Sequence, residues 1–330
     1  MTSDAKKSQK SGRAIQHFVP RVLLKQFTDE NLMDINFMRV SNGEITRSIP
    51  YKPQCAKKFF YGKELSIENK LGELEGNFGR VIRTLKNINE PNVERYSLAH
   101  IYLTIFSVYQ YVRTEKALDV TNDILTKSFS VLKEKSKSEL LPKLLEVANG
   151  ECTESEILEF YESITVSMDN PHTILFGTAN EIIPEILDLN FKIIKNTSPL
   201  PFICSDNPLI YMHDGSTDCF FRLMLPLTPD LLLVFYNGKR YKIGLRKYNF
   251  HKLTNVDDIY HINAIQYLNS HKNIYFNSKV PPRHVMELQS KFKKLKPQEE
   301  TTLVELNGLP FLKSNRPVIN YKFSFVKKLR

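Results

Sequence analysis

A histidine and an arginine stand four residues apart in the stretch Gln16-His-Phe-Val-Pro-Arg21. An imidazole transfers protons near neutral pH, and a guanidinium binds anions through several N–H donors. Pro20 restricts the backbone between them, and the apolar residues from Val22 to Leu24 predict a buried anchor for the segment. We therefore interpret His17 and Arg21 as a candidate acid/base and anion-binding pair.

Two carboxylates and two glycines alternate along one face of a predicted helix. Glu68, Gly72, Glu75 and Gly79 follow the helical spacing i, i+4, i+7 and i+11. Glycine costs about 1 kcal/mol in a helix interior, and this cost is offset where another backbone or a ligand must come close. Two interpretations stay open. The glutamates face a cleft, as a catalytic base or as ligands of a divalent metal, or they pair with surface lysines.

Arg113 lies at the edge of the aromatic face of the next predicted helix, four residues after Tyr109. A guanidinium beside a buried face needs a carboxylate to offset its desolvation. We therefore predict that Arg113 contacts Glu68 or Glu75, and that removing the arginine strongly destabilises the fold.

The apolar run Phe202-Ile-Cys204 leads into Ser205-Asp-Asn-Pro208. Catalytic groups are common on loops held by a rigid scaffold, and a proline fixes this turn. Asp206 and Asn207 are therefore candidate site residues, and a structural Asx-turn without chemistry is the alternative. Cys204 itself is interpreted as a small buried residue of the strand.

The sequence lacks the motifs of several common enzyme and nucleotide-binding classes. The chain has no P-loop, no G-x-G-x-x-G, no H-E-x-x-H and no G-x-S-x-G. Its four cysteines show no C-x-x-C spacing, which favours reduced thiols in a cytoplasmic protein over a zinc site or a disulfide framework.

Three zones of hydrophobic pattern must position these groups. The Asn42-Gly43 turn between two β-prone runs predicts antiparallel strands near 33–40 and 44–49, in a β-hairpin region at 13–62. Apolar residues at helical spacing predict a helical lobe at 63–190, and apolar runs punctuated by prolines predict a β-rich lobe at 191–330. We expect a single α+β domain over 13–330, in which the hairpin region and an antiparallel β-rich lobe pack on a central helical bundle.

Local signals define individual helices of the middle zone. Ser66 is predicted to cap the glutamate-bearing helix, and a deeply packed helix follows Pro91. Residues 116–148 predict an exposed, lysine-rich helix or helix pair, and Thr153 with Glu156 predicts a capping box before the next helix.

The composition is that of a basic globular protein. The 330 residues carry a net charge of +10, which permits a polyanionic partner such as nucleic acid. No apolar run approaches the roughly 20 residues of a membrane span, and the polar residues 1–12 predict a disordered tail instead of a signal peptide. Lys291 to Lys296 is interpreted as a solvated helix face, with a nucleic-acid contact as the alternative.

Taken together, the motifs resemble one bacterial family, the domain-of-unknown-function 4238 family of HYVP-motif proteins. The resemblance covers about 16–115 and 200–232. It rests on five segments: His17-Phe-Val-Pro-Arg21 with Leu24 and Phe27; Phe60-Tyr61 with Glu68, Leu71, Leu74 and Glu75; Gln110 with Arg113-Thr114; Ser205-Asp-Asn-Pro208; and Pro226-Leu-Thr-Pro229.

The resemblance implies a composite site built from several elements and leaves the reaction open. We expect a hydrolase or nuclease-like enzyme that acts on nucleic acid or a nucleotide, in a bacterial defence or toxin role. In this hypothesis the catalytic residues are His17, Glu75 and Asp206, the substrate-binding residues are Arg21, Arg113, Gln110 and Asn207, and the ligands of magnesium or manganese are Glu68, Glu75 and Asp206.

Two alternatives remain beside this hypothesis. The same residues could form the buried network of a non-catalytic module that binds nucleic acid or protein, or they could serve an effector that modifies a small nucleotide. Geometry discriminates between them, because catalysis requires an accessible cluster. We predict that His17, Glu75, Arg113 and Asp206 share one cleft.

Overall fold

The computed structural model describes residues 14–30, 33–168, 170–211, 221–306, 309–315 and 321–329. The α+β class is confirmed, and the predicted tail at 1–12 lies outside the described residues. The described helices are α1 (Arg21–Leu24), α2 (Ser66–Lys86), α3 (Leu98–Val112), α4 (Glu115–Ala148), α5 (Glu154–Ser163), α6 (His172–Leu187), α7 (Val256–Asn269) and α8 (Pro282–Phe292).

The described strands are mostly short. They are β1 (Ile15–His17), β2 (Asp34–Arg39), β3 (Ile45–Pro50), β4 (Ala56–Lys58), β5 (Asn190–Asn196), β6 (Cys204–Ser205), β7 (Ile210–Tyr211), β8 (Phe221–Thr228), β9 (Leu231–Tyr236), β10 (Tyr241–Ile243), β11 (Phe250–Leu253), β12 (Asn273–Phe276), β13 (Thr301–Leu306), β14 (Leu309–Ser314) and β15 (Val326–Lys328).

These elements divide into two compact units. The larger unit comprises the described parts of 1–117, 172–296 and 317–330, and the smaller unit comprises those of 118–171 and 297–316. Every residue proposed from the sequence as a site residue belongs to the larger unit. The single domain expected over 13–330 stays a prediction.

The N-terminal hairpin forms as predicted and is part of a larger sheet. β2 and β3 pair antiparallel around Gly43, whose φ of +77° suits glycine. The Asn42 side chain accepts the Glu44 N–H at 3.0 Å and so closes the turn. β12 pairs with both β2 and β6, which gives the order β3-β2-β12-β6. Strands that are distant in sequence therefore complete the sheet of the hairpin region.

The second large sheet has the order β11-β5-β9-β8-β7. All six residues of β9 are buried, as expected for an uninterrupted apolar run in a sheet core. The β-rich zone was expected to be antiparallel, but β11 runs parallel to β5. Parallel pairing requires a long connection, and the chain between these two strands, residues 197–249, supplies it.

The long helices pack through the apolar stripes seen in the sequence. α2 buries Leu71, Phe78, Ile82 and Leu85, and Phe78 stacks on Phe106 of α3 with ring centroids 3.5 Å apart. The predicted Ser66 cap is wrong, because Ser66 is the first residue of α2 and Leu65 precedes it without a side-chain hydrogen bond.

The next two helices follow the sequence more closely. α4 is one 34-residue helix, and its only buried residue is Glu115 at its first position. The capping box of Thr153 and Glu156 is confirmed at the start of α5. None of the described helices combines the length and apolarity needed to cross a membrane.

The two glycines of the α2 stripe have different surroundings. A methyl group at Gly79 would lie 2.9 Å from Cγ2 of Val22 in α1, whereas a methyl group at Gly72 would meet nothing within 4 Å. Close approach of another element therefore accounts for Gly79 and does not account for Gly72.

We expect Gly72→Ala and Gly79→Ala to change stability in opposite directions. Alanine gains about 1 kcal/mol of helix propensity at either position. At position 79 the new methyl group would overlap a stiff β-branched side chain, at a cost of about 1–3 kcal/mol. Urea unfolding should therefore show Gly72→Ala to be more stable than the parent and Gly79→Ala to be less stable.

A double substitution provides the control for this comparison. Val22→Ala removes the overlapping methyl group, so its destabilising effect should be smaller in the Gly79→Ala background than in the parent. Equal stabilities of the two glycine variants would show that α1 does not pack against α2 in this way.

Candidate functional site

Arg113 is the centre of the candidate site. It follows the last turn of α3, and its side chain is 1% exposed. Its Nη2 atom lies 2.8 Å from Oε1 of Glu75 and donates to the backbone carbonyl of His17 at 2.6 Å. The predicted contact between Arg113 and a carboxylate of α2 is therefore confirmed. Arg113 joins α2, α3 and β1 through one buried guanidinium.

Tyr61 completes the surroundings of this guanidinium, although no sequence pattern indicated a role for it. Its hydroxyl accepts from Nε of Arg113 at 3.1 Å and donates to the His17 carbonyl at 3.0 Å. Burial raises the pKa of Tyr61 to about 12, so the neutral phenol makes both bonds. The only sequence signal was the Phe60-Tyr61 pair, and it did not show which groups the hydroxyl would meet.

His172 is a second residue that the sequence did not indicate. Its imidazole is buried at the start of α6 and packs edge-on against Tyr61, with ring centroids 5.0 Å apart. Nε2 lies 2.8 Å from the Phe60 carbonyl, which can only accept, so Nε2 carries the hydrogen. His172 thus holds the Phe60-Tyr61 segment in place.

The His17 ring is held in a defined tautomer. Nε2 lies 2.8 Å from the Lys52 carbonyl, so Nε2 donates and the lone pair of the neutral ring is on Nδ1. Burial lowers the pKa of His17, the Lys52 carbonyl opposes this shift, and the charge of Arg21 adds to it. His17 is therefore neutral at pH 7, which is the form that a general base requires.

The pKa of Glu68 is shifted in the direction opposite to that of His17. Burial raises the pKa of its carboxyl, while the charge of Arg113 opposes the rise and that of Glu75 adds to it. Its Oε2 is buried without a hydrogen-bond partner among the described residues. A carboxyl in such surroundings keeps its proton to higher pH, which is the property of a general acid.

Arg21 is the exposed cation of this cluster. It opens α1 directly after Pro20, and its side chain is exposed to solvent. Its charge lowers the pKa of both His17 and Glu68. The expected substrate-binding role of Arg21 stays a prediction.

The side chain of Gln110 is buried and forms a hydrogen bond with the backbone. Its Nε2 donates to the Phe18 carbonyl at 3.1 Å, which ties the residue after β1 to α3. Its Oε1 is buried and has no hydrogen-bond partner in the described part of the chain. The expected substrate-binding role of Gln110 stays a prediction.

The Asp206 carboxylate binds a turn that is distant in sequence. Its Oδ1 accepts the His271 N–H at 2.8 Å, and its Oδ2 accepts those of Lys272 and Asn273 at 2.7 and 2.9 Å. These donors connect α7 to β12, and β12 pairs with β6 beside Asp206. The carboxylate therefore fixes the turn that aligns two strands of one sheet.

Asn207 links this turn to the Arg113 region. Its Nδ2 donates to the Asn269 carbonyl at 2.9 Å, and its Oδ1 accepts from the Thr114 hydroxyl at 3.0 Å. Thr114 follows Arg113 directly, so the strand end and the end of α3 are joined by one hydrogen bond. The expected roles of Asp206 in catalysis and of Asn207 in substrate binding stay predictions.

The structure brings together three of the four residues expected to share a cleft. The Arg113 guanidinium contacts Glu75 and the His17 backbone. None of the described hydrogen bonds or ion pairs joins Asp206 to these three residues. A cleft shared by all four residues, Asp206 included, therefore stays a prediction.

The three carboxylates expected to bind a metal do not form one ligand set. The Glu75 carboxylate is paired with the positively charged Arg113 guanidinium, where a metal ion would otherwise bind. Both Asp206 oxygens accept backbone N–H groups. Magnesium and related ions require several oxygen ligands at about 2.0–2.6 Å. These residues do not fit a shared divalent metal, and the chemistry proposed below uses side chains of the protein alone.

Comparison with known proteins identifies the family. The model of the family described as "Protein of unknown function (DUF4238)" matches residues 15–280. The chain therefore belongs to this family, as the motifs indicated, and the match includes every site residue discussed above. No curated protein and no solved structure matches the chain significantly.

The raised pKa of Glu68 predicts a pH-dependent effect of Glu68→Gln on stability. The folded protein holds the Glu68 proton more tightly than the unfolded chain, where glutamate has a pKa of about 4.3. The free energy of unfolding therefore falls as pH rises from that value through the raised pKa. Glu68→Gln does not undergo this loss, so its stability relative to the parent should increase from pH 4.5 to pH 7.5 in urea titrations.

Glu73→Gln is the matched control, because Glu73 is an exposed carboxylate of the same helix. It makes the same substitution at an exposed position, so it serves as the reference at each pH. A Glu68→Gln stability that changes with pH no more than that of Glu73→Gln would show that the Glu68 carboxyl is solvated in the folded protein.

Proposed function

We propose that the protein is a hydrolase that acts on a phosphate-containing substrate at the cluster of His17, Arg21 and Glu68. The supporting observation is the pair of opposite pKa shifts, downward on His17 and upward on Glu68, beside an exposed guanidinium. The charges of the same neighbours, Glu75 and Arg113, act on the pKa values of both groups. Groups whose surroundings move their pKa values in opposite directions are candidates for a base and an acid.

The proposed reaction is the attack of water on phosphorus. Nδ1 of His17 accepts a proton from the water, whose oxygen forms the new P–O bond. The bond from phosphorus to the leaving oxygen breaks, and Glu68 donates its proton to that oxygen. Arg21 binds the non-bridging oxygens, where charge must be stabilised during phosphoryl transfer. Solvent then returns both side chains to their starting protonation states.

The buried residues keep these groups in position. The Arg113 guanidinium binds the His17 carbonyl, and the Lys52 carbonyl fixes the His17 ring. Glu75 neutralises Arg113, so the basic charge that faces a substrate comes from Arg21. We include nucleic acids and nucleotides as the substrate class, because the net charge of +10 favours polyanions.

A second candidate function is a non-catalytic module that binds nucleic acid or protein. The observation in its favour is that Gln110, Arg113 and Asp206 all bind backbone groups within the chain. Residues used in this way stabilise a fold without any reaction. In that case the side chains of His17 and Glu68 would be dispensable for function.

Turnover measurements test the hydrolase proposal. Single- and double-stranded DNA, RNA and free nucleotides would be incubated with the protein in EDTA, magnesium and manganese, and released phosphate or cleaved strands would be quantified. We expect hydrolysis of at least one substrate class. His17→Ala and Glu68→Gln should each lower kcat by about 10²–10⁴, as expected for loss of a proton-transfer group.

Two further variants complete this experiment. Arg21→Ala should raise KM, because it removes a cation that binds substrate before and during the reaction. Glu73→Gln should retain kcat within about twofold, as expected for an exposed residue away from the cluster. Absence of turnover by folded parent protein on all substrates, or full activity of His17→Ala, would refute the hydrolase and leave the binding module.

A further inference from the structure

The sheet formed by β10 and β15 lies in parts of the sequence that contain cations and no acidic residues. Residues 231–256 contain six lysines and arginines and no aspartate or glutamate, and residues 321–329 contain three lysines and no acidic residue. Pairing of the two strands brings Lys242 together with Lys327 and Lys328 in the larger unit.

The strand register places like charges opposite each other. Lys242 of β10 is the direct partner of Lys327 of β15, and directly opposed like charges destabilise a strand pair. None of the described ion pairs holds either lysine. An anion bound between them would remove this repulsion.

The loop that follows β10 in the chain carries two further exposed cations. It runs from Leu245 through Arg246 and Lys247 to Tyr248, and all four side chains are exposed, Tyr248 by 41%. A buried lysine, Lys192 of β5, donates to the carbonyls of Leu245 and Tyr248 and so anchors both ends of the loop. The loop therefore presents its two cations and its aromatic ring from a fixed backbone.

We propose that Lys242, Arg246, Lys247, Tyr248 and Lys327, the β10–β15 surface, bind one strand of nucleic acid. The cations would contact phosphates, and the Tyr248 ring would stack on a base. Cations combined with an exposed aromatic ring are the usual means of binding single strands without sequence preference. An anionic membrane is the less favoured partner, because Leu245 is the only exposed aliphatic side chain within this loop.

This inference deepens the proposed function and rests on it for one point, that the bound strand is a substrate. A polymeric substrate would be held at the β10–β15 surface while a phosphodiester reacts at the His17 cluster. Binding itself requires no turnover. The two proposals can therefore fail separately.

Fluorescence anisotropy with a labelled 20-nucleotide oligothymidylate tests the surface. Removal of one lysine that binds a phosphate should lower the slope of log K against log salt by about 0.7 for a single strand. Lys242→Ala/Lys327→Ala should therefore lower the slope by about 1.4 and weaken binding roughly 25-fold at 0.1 M salt. Neither lysine is buried, so the double variant should keep its fold.

The matched control removes the same charge elsewhere. Lys293→Ala/Lys294→Ala alters two exposed lysines of the 291–296 run and should change affinity less than about twofold. Tyr248→Ala should weaken binding at least about fivefold without changing the salt slope, since it removes a stacking ring and leaves the charge unchanged. Tyr248→Phe should retain the affinity of the parent.

Several results would overturn this inference. Equal weakening by the two lysine double variants would show that net charge alone attracts the strand. Failure of the parent to bind the oligonucleotide or a matching oligoribonucleotide, or tighter binding to phosphatidylserine vesicles, would also exclude it. Binding that persists without hydrolysis of any strand or free nucleotide would support the surface and refute the proposed hydrolase.

Discussion

The larger unit depends on one buried cation, the guanidinium of Arg113. It is 1% exposed and is paired with Glu75 at 2.8 Å, and it also binds the His17 carbonyl and the Tyr61 hydroxyl. An unpaired charge at this depth costs about 3–5 kcal/mol, so the surrounding elements must stay assembled around it. α2, α3, β1 and the Tyr61 segment are thereby held to one another.

This constraint separates the polar residues into two groups. Those that bind the backbone, such as Gln110 and Asp206, use side-chain hydrogen bonds to fix the fold. The pKa of His17 is lowered and that of Glu68 is raised, and the side chain of Arg21 is exposed to solvent. Glu75 is paired with Arg113, whereas burial raises the pKa of the Glu68 carboxyl against the opposing charge of Arg113.

The sequence predicted best what short-range physics decides. The turn at Asn42-Gly43 and the capping box at Thr153 need only residues within a few positions, and both are confirmed. The pairing of Arg113 with α2 was predictable because a guanidinium on a buried helix edge demands a carboxylate. The Ser66 cap failed because the start of α2 is shifted by a single residue, which local preference does not resolve.

The features that the sequence did not predict depend on contacts between residues far apart in the chain, which no local sequence pattern reveals. Asp206 accepts N–H groups from residues 271–273, and β12 joins the hairpin sheet only in the folded protein. The role of Tyr61 as a partner of Arg113 likewise needs the position of β1 to be known. For the same reason, the sequence could not show that Glu75 and Asp206, two of the three carboxylates expected to bind one metal, already have partners within the chain.

A double-mutant cycle on Arg113 and Glu75 tests the central claim most directly. The free energy of unfolding would be measured in urea for the parent, Arg113→Met, Glu75→Gln and the double variant. The buried ion pair predicts that each single substitution strongly lowers the free energy of unfolding. The loss in the double variant should be smaller than the sum of the two single losses by about 1–3 kcal/mol. Additive effects, with no coupling between the two positions, would contradict the account.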